Sequence, residues 1–119
     1  MSRVRIALAA GVLVVFLGIG AYLIFANLNG GGQNVTINVT VTGAKTMSPS
    51  ALIAHHNDNV TINVTSETDG EVHLHGYDIH VQTKAGQTVS HTFKAINTGS
   101  FDIEWESTSQ PLGTLTVNP

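Results

Sequence analysis

The sequence predicts an all-β domain, a Greek-key β-sandwich, behind one N-terminal transmembrane helix. Three observations predict it. From Asn34 to the C-terminus, short stretches alternate apolar and polar residues with period two. Turn signals separate them at intervals of about 8–12 residues, as in antiparallel sandwiches, and no soluble stretch has helical periodicity. From Ile6 to Ala26 the chain carries neither charge nor proline, a run of about 20 residues that is long enough for a helix across roughly 30 Å of hydrocarbon.

The N-terminus divides from the rest by composition. Residues 1–28 read as a cytoplasmic N-terminus and a signal-anchor helix, residues 29–33 (Asn-Gly-Gly-Gly-Gln) as a short flexible tether, and residues 34–119 as the sandwich. A cleaved signal usually has a shorter apolar run, of about 7–15 residues, and a small-x-small cleavage site. Ala26-Asn27-Leu28 is a poor one, so the expectation is a retained anchor, with cleavage as the alternative. Arg3 and Arg5 precede the helix and the next basic residue is Lys45. The positive-inside bias therefore puts the N-terminus in the cytoplasm and the domain outside, in a periplasm or on a cell surface. The outer part holds all eight acidic residues against three lysines, a balance of about −5. It offers no basic patch, which argues against nucleic acid as a partner. The expected partners are the lipid bilayer and a membrane-protein complex. With no cysteine in the chain, the exported core must hold without disulfides.

The strands follow in order. Asn34 to Thr42, NVTINVTVT, sets Val35, Ile37, Val39 and Val41 on one face. The heptapeptide NVTINVT recurs at Asn59 to Thr65, so two strands of one sandwich share a pattern. Each copy holds two N-x-T sequons, at Asn34, Asn38, Asn59 and Asn63, on the polar face. They read either as glycan acceptors or as a plain polar surface. Gly43 to Ser50 is a connection, Ala51 to Ala54 a short strand, and His55-His56-Asn57-Asp58 a polar turn. Asp69-Gly70 is a second turn, and Lys84-Ala85-Gly86-Gln87 a third. Val89, His91 and Phe93 share an apolar face, which makes His91 a core histidine and not a ligand. After the turn Asn97 to Ser100, Phe101, Ile103 and Trp105 face inward against Asp102, Glu104 and Glu106. Ser107 to Pro111 reads as a loop, and Leu115 and Val117 close the last strand.

The chemistry gathers at Glu71 to His80, EVHLHGYDIH, which contains three of the six histidines. His73 and His75 are two apart, so both rings leave the same face of a strand, with Val72 and Leu74 on the other. Beyond Gly76 the apolar phase moves to Tyr77, Ile79 and Val81. That shift needs a bulge, a bend or a tight turn, and glycine is the residue best suited to supply one. Imidazole nitrogens and carboxylates suit Cu(II) or Zn(II). The candidate metal ligands are His73, His75 and His80 with Asp78 and Glu104, and Glu71 stands as a further ligand or supporting acceptor. His80 joins only if the chain folds back at Gly76. The competing expectation is a structural corner in which imidazoles hydrogen-bond carboxylates.

From Ala51 onward the chain resembles the cupredoxin-like domains of exported and membrane-anchored prokaryotic proteins. The resemblance is carried by EVHLHGYD at Glu71 to Asp78, AGQTV at Ala85 to Val89, GSFDIEWE at Gly99 to Glu106, and GTLTVNP at Gly113 to Pro119. It implies a two-sheet Greek-key sandwich, copper, and electron transfer. The last implication fails on chemistry: a blue-copper site uses two His, a Cys thiolate and a weak axial ligand, and the chain has no Cys. Met47 lies outside the C-terminal loop where such ligands cluster. What remains resembles the H-x-H-G turn of multicopper oxidases, present once, which does not support oxidase activity. No thiol nucleophile, G-x-S-x-G or phosphate-binding loop points to another enzyme. The expected function is a non-enzymatic extracytoplasmic module that binds copper or zinc, or a metal-free structural ectodomain of a membrane complex.

Overall fold

Each apolar alternation becomes a strand in the computed structural model, which describes residues 32–119 and the two-residue strand Tyr22–Leu23. The strands are β1 (Tyr22–Leu23), β2 (Asn34–Thr42), β3 (Thr46–Ser48), β4 (Ala51–His55) and β5 (Asn59–Ser66). They continue with β6 (Gly70–Leu74), β7 (Ile79–Thr83), β8 (Thr88–Lys94), β9 (Gly99–Trp105) and β10 (Gln110–Asn118). One sheet has the order β1-β2-β5-β8, with β3 also pairing β2, and the other has the order β4-β10-β9-β6-β7. Consecutive strands cross repeatedly between the sheets, as Greek-key wiring requires. The inner faces bury Val35, Ile37, Val39 and Val41 of β2 against residues such as Leu52, Leu74, Ile103, Trp105 and Leu115.

The expected membrane helix and tether lie outside the described residues, apart from Tyr22 and Leu23 and the tether's last two residues. At Tyr22 and Leu23 the backbone is extended opposite Ile37 and Thr36, and not helical. An extended segment there gives partners to edge amides of β2 that β3 does not reach. Among the described residues no helix is long and apolar enough to cross a membrane.

Three further expectations change. The sheets are not purely antiparallel, because β2 runs parallel to β5 and β10 parallel to β4. Alternation looks the same in either direction, so strand direction was not written in it. Thr46–Ser48, read as connection, is a strand that buries Met47 in the core. The loop read over Ser107 to Pro111 is a short 3-10 turn, Glu106–Thr108, and β10 already begins at Gln110.

The two NVTINVT copies lie side by side. Asn34 pairs with Asn59, Val35 with Val60, and so on to Thr40 with Thr65, each residue beside its twin. Asn59 Nδ2 donates to Asn34 Oδ1 at 3.3 Å, and Asn63 Nδ2 donates to Asn38 Oδ1 at 2.8 Å. The hydroxyls of Thr61 and Thr92 meet at 2.8 Å, and those of Thr65 and Thr88 at 2.7 Å. The sequon asparagines thus stand on the outer face within a ladder of side-chain hydrogen bonds.

The polar turn after β4 contains a buried carboxylate. Asp58 is 2% exposed, and its oxygens accept backbone N–H bonds from Gln33 at 2.9 Å and His55 at 2.8 Å. It fastens the start of the domain to the β4–β5 turn.

Candidate metal centre

The site stands on the outer face of the second sheet, where period-two alternation sends the polar residues of β6, β7 and β9. Val72 and Leu74 are buried, so Glu71 and His73 of β6 and His75, just past its end, face outward. The chain does fold back after Gly76, whose φ is +84°. A Cβ at Gly76 would sit 2.2 Å from Phe101 Cδ1, so the position excludes a side chain on two counts. Asp78 also takes a left-handed φ, +54°, a conformation that Asp tolerates better than most residues. Between them Tyr77 donates its hydroxyl to Asn97 O at 2.6 Å and accepts from Asn97 N at 3.0 Å. Its ring packs on Phe93 and Phe101. These contacts fix the hairpin that carries the histidines.

The hairpin register places His73 directly opposite His80, and β9 places Glu104 on the other side of His73. The three imidazoles lie together: the His73 centroid is 4.0 Å from that of His75, with the rings tilted by 38°, and 4.1 Å from that of His80, with the rings stacked at 18°. His73 is 14% exposed; its Nδ1 is 2.9 Å from Glu106 Oε1 and its Nε2 is 3.6 Å from Asp78 Oδ1. His80 Nδ1 contacts Glu71 Oε2, and its Nε2 lies 3.1 Å from Asp78 Oδ1. The hydrogen bond to Glu71, then that to Asp78, raises the pKa of His80 above its ordinary value, since both acceptors favour the doubly protonated ring. His75 Nε2 lies 3.0 Å from Glu104 Oε1 but outside hydrogen-bonding geometry. That nitrogen is buried and has no hydrogen-bond partner among the described residues.

One ligand atom each from His73, His80 and Glu106 falls within 4.8 Å of the others, with Asp78 beside both rings. Of the residues singled out from sequence, His73, His80 and Asp78 come together, while His75 and Glu104 form a neighbouring pair. Glu106 was not among them, although alternation had already put it outward with Glu104. Which glutamate reaches His73 depends on register. Glu104 is opposite His73 on the backbone, yet its carboxylate goes diagonally to His75 and leaves Glu106 to take His73. His91 lies on the inner face of β8, half-buried, lining a small apolar cavity with Met47, Ile79 and Phe93.

The donor set fits a borderline divalent ion of the Cu(II) type: imidazole nitrogen and carboxylate oxygen, without thiolate. The unpaired His75 nitrogen fits the same chemistry. For the stacked rings to converge on one ion they must turn about χ2, a soft torsion for histidine. A type 1 copper centre is excluded, because the chain has no cysteine.

No family model matches the sequence, and no curated protein matches it. Solved structures do. A copper binding protein determined in the apo form superposes with a TM-score of 0.62 at 13% identity, over 74% of this chain and 97% of that one. The metal binding domain of the Cu(I)-exporting P-type ATPase CopA of Streptococcus pneumoniae D39 gives 0.63 at 15%, over 74% and 88%. A blue copper oxidase from Nitrosomonas europaea gives 0.58 at 18%, over 74% of this chain and 39% of that one. The chain thus shares the cupredoxin-like fold of these structures.

Proposed function

We propose that the chain is a non-enzymatic, membrane-anchored module that binds Cu(II) on the outer face of its second sheet. The observation that carries this reading is the convergence of His73, His80 and Glu106, with Asp78 at both rings. His73, His80 and Glu106 supply ligand atoms, Asp78 a further oxygen. Glu71 holds His80 Nδ1 and so orients Nε2 toward the ion. Copper is preferred because similar structures include a copper binding protein and the metal binding domain of a Cu(I) exporter. The module stands outside the membrane, anchored by the uncharged apolar run that begins at Ile6 and ends short of Tyr22 and Leu23, which pair with β2, and Arg3 and Arg5 stay in the cytoplasm.

Titration of the full-length chain, purified in mild detergent without a histidine tag, tests the reading. Cu(II) should saturate one site and give nitrogen hyperfine structure in electron paramagnetic resonance, without intense blue absorption. His73→Ala, His80→Ala and Glu106→Ala should each weaken binding strongly, Glu71→Gln by about 10–100-fold as an outer-shell change, and His75→Ala less than His73→Ala. Stronger binding of Zn(II) than of Cu(II) would remove copper as the ion. Intact mass starting near Asn27 would show cleavage and remove the anchor.

A second reading has its own observation. Every imidazole of the cluster already stands beside a carboxylate: His80 at Glu71 and Asp78, His73 at Glu106, His75 at Glu104. On that reading the cluster is a metal-free structural corner of an ectodomain in a membrane complex, and no saturable Cu(II) binding should be found.

A further inference from the structure

We propose that this site separates the two oxidation states of copper: it holds Cu(II), and one-electron reduction to Cu(I) releases the ion. The inference rests on the Cu(II) site proposed above. Three features of the chain carry it.

The first is donor softness. Cu(I) is selected by thiolate and thioether sulfur, Cu(II) by nitrogen and oxygen in tetragonal arrangements. The chain has no cysteine. Met47, the one methionine among the described residues, is 6% exposed in the core between the sheets, on the inner side of the sheet pair. It cannot reach the outer face where His73 and His80 stand.

The second is charge. Glu71, Asp78, Glu104 and Glu106 surround three imidazoles, and each carboxylate attracts a divalent ion about twice as strongly as a monovalent one at the same distance. Reduction halves that attraction while leaving every carboxylate in place.

The third is geometry. Cu(I), a closed-shell ion, is content with two nitrogens on opposite sides of it. His73 and His80 are a cross-strand pair, leaving neighbouring strands on the same face with their rings stacked. Two such rings can turn toward an ion from one side only. That suits adjacent positions in the tetragonal arrangements of Cu(II), and these two rings offer Cu(I) no opposed pair of nitrogens.

The step is Cu(II) plus one electron giving Cu(I). The electron comes from an external reductant such as ascorbate, since the chain has no thiol to supply it. The imidazole and carboxylate ligands are unchanged chemically, and Cu(I) leaves to a softer acceptor.

The test uses the full-length, untagged chain in detergent, loaded with one equivalent of Cu(II) and then reduced anaerobically with ascorbate in the presence of bathocuproine disulfonate. Before reduction the copper should travel with the protein; afterwards it should be found with the chelator. Titrations of each state should give at least about a 1,000-fold preference for Cu(II), which lowers the potential of the bound couple by about 180 mV at 59 mV per tenfold. Glu106→Met exchanges an exposed carboxylate for a thioether at the same place, so this variant, titrated directly with Cu(I), should bind it more tightly than the native chain does. Equal affinity for the two states, or copper that stays with the native chain after reduction, overturns this inference and leaves the Cu(II) site standing. Binding of neither ion overturns both.

Discussion

Replacing Asp58 by alanine should destabilise the domain far more than replacing Asp69, although each carboxylate accepts backbone hydrogen bonds. Asp58 is 2% exposed and receives two, from Gln33 N and His55 N. Asp69 is exposed and receives one, from Ala85 N at 2.8 Å. Hydrogen bonds to a charged acceptor are worth about 1.5–3 kcal/mol each, and a buried donor left unpaired costs about 1–3 kcal/mol. Asp58→Ala orphans two donors in a part-buried turn that water enters poorly. The expected loss is about 3–5 kcal/mol, a large share of a total stability of about 5–15 kcal/mol. At about 4–8 °C per kcal/mol for a domain of this size, the midpoint should fall by at least about 12 °C. Asp69→Ala frees one exposed amide to water and should cost about 1 kcal/mol or less. Thermal and urea unfolding of the full-length chain, followed by the near-ultraviolet signal of Trp105, measures both. Equal losses, or a loss below about 1 kcal/mol for Asp58→Ala, would refute the assignment of Asp58 as the fastener of the β4–β5 turn.

Further outcomes are expected. Ile103, 3% exposed, sits opposite Leu74 on the inner face, so Ile103→Asp should unfold the domain while Glu104→Gln leaves its midpoint nearly unchanged; circular dichroism decides. Tyr77→Phe removes both bonds to Asn97 and should cost about 1–2 kcal/mol, with a parallel loss of Cu(II) affinity as the hairpin loosens. The folded-state pKa of His80 lies above its ordinary value, so in the metal-free chain its contribution to stability is full below about pH 6.5. That contribution disappears as pH rises through the raised value. An NMR titration of the His80 ring should show the upward displacement shrinking in Glu71→Gln, and Cu(II) affinity should rise over the same pH window as the ring loses its proton.

The strands and the core faces were legible in the sequence because burial follows side-chain alternation, which is local. Val72 and Leu74 inward, His73 and His75 outward, and the reversal at Gly76 all follow from spacing and from one glycine. Partnership was not legible in the same way. Whether His80 meets His73 depends on a turn of fixed length, and whether Glu104 or Glu106 meets His73 depends on the register of β6 against β9. Neither quantity is encoded by period two. Asp58 was hidden for a different reason: in a run of His, Asn and Asp it looks like any turn residue, and the approach of Gln33, at the start of the neighbouring β2, adds a donor from outside the turn to that of His55. Parallel pairing escaped for the same reason of distance, since β2 and β5 are brought together by the crossovers between them.

The twin heptapeptides pose a problem of identity during folding. Asn34–Thr40 and Asn59–Thr65 are the same seven residues in neighbouring slots of one sheet. Exchanging their places would preserve almost every contact the two make with each other. Contacts within the repeat therefore cannot tell the chain which copy belongs at which slot, and the choice falls to what flanks them. Val41 and Thr42 lead into pairing with β3, whereas Ser66 turns its hydroxyl onto Thr68 O. A landscape with two near-degenerate placements invites a slow phase in which chains that chose wrongly must open the sheet before trying again. Breaking the degeneracy at one copy with Thr36→Val, which leaves the asparagine pairs of the ladder in place, should speed refolding while changing stability little.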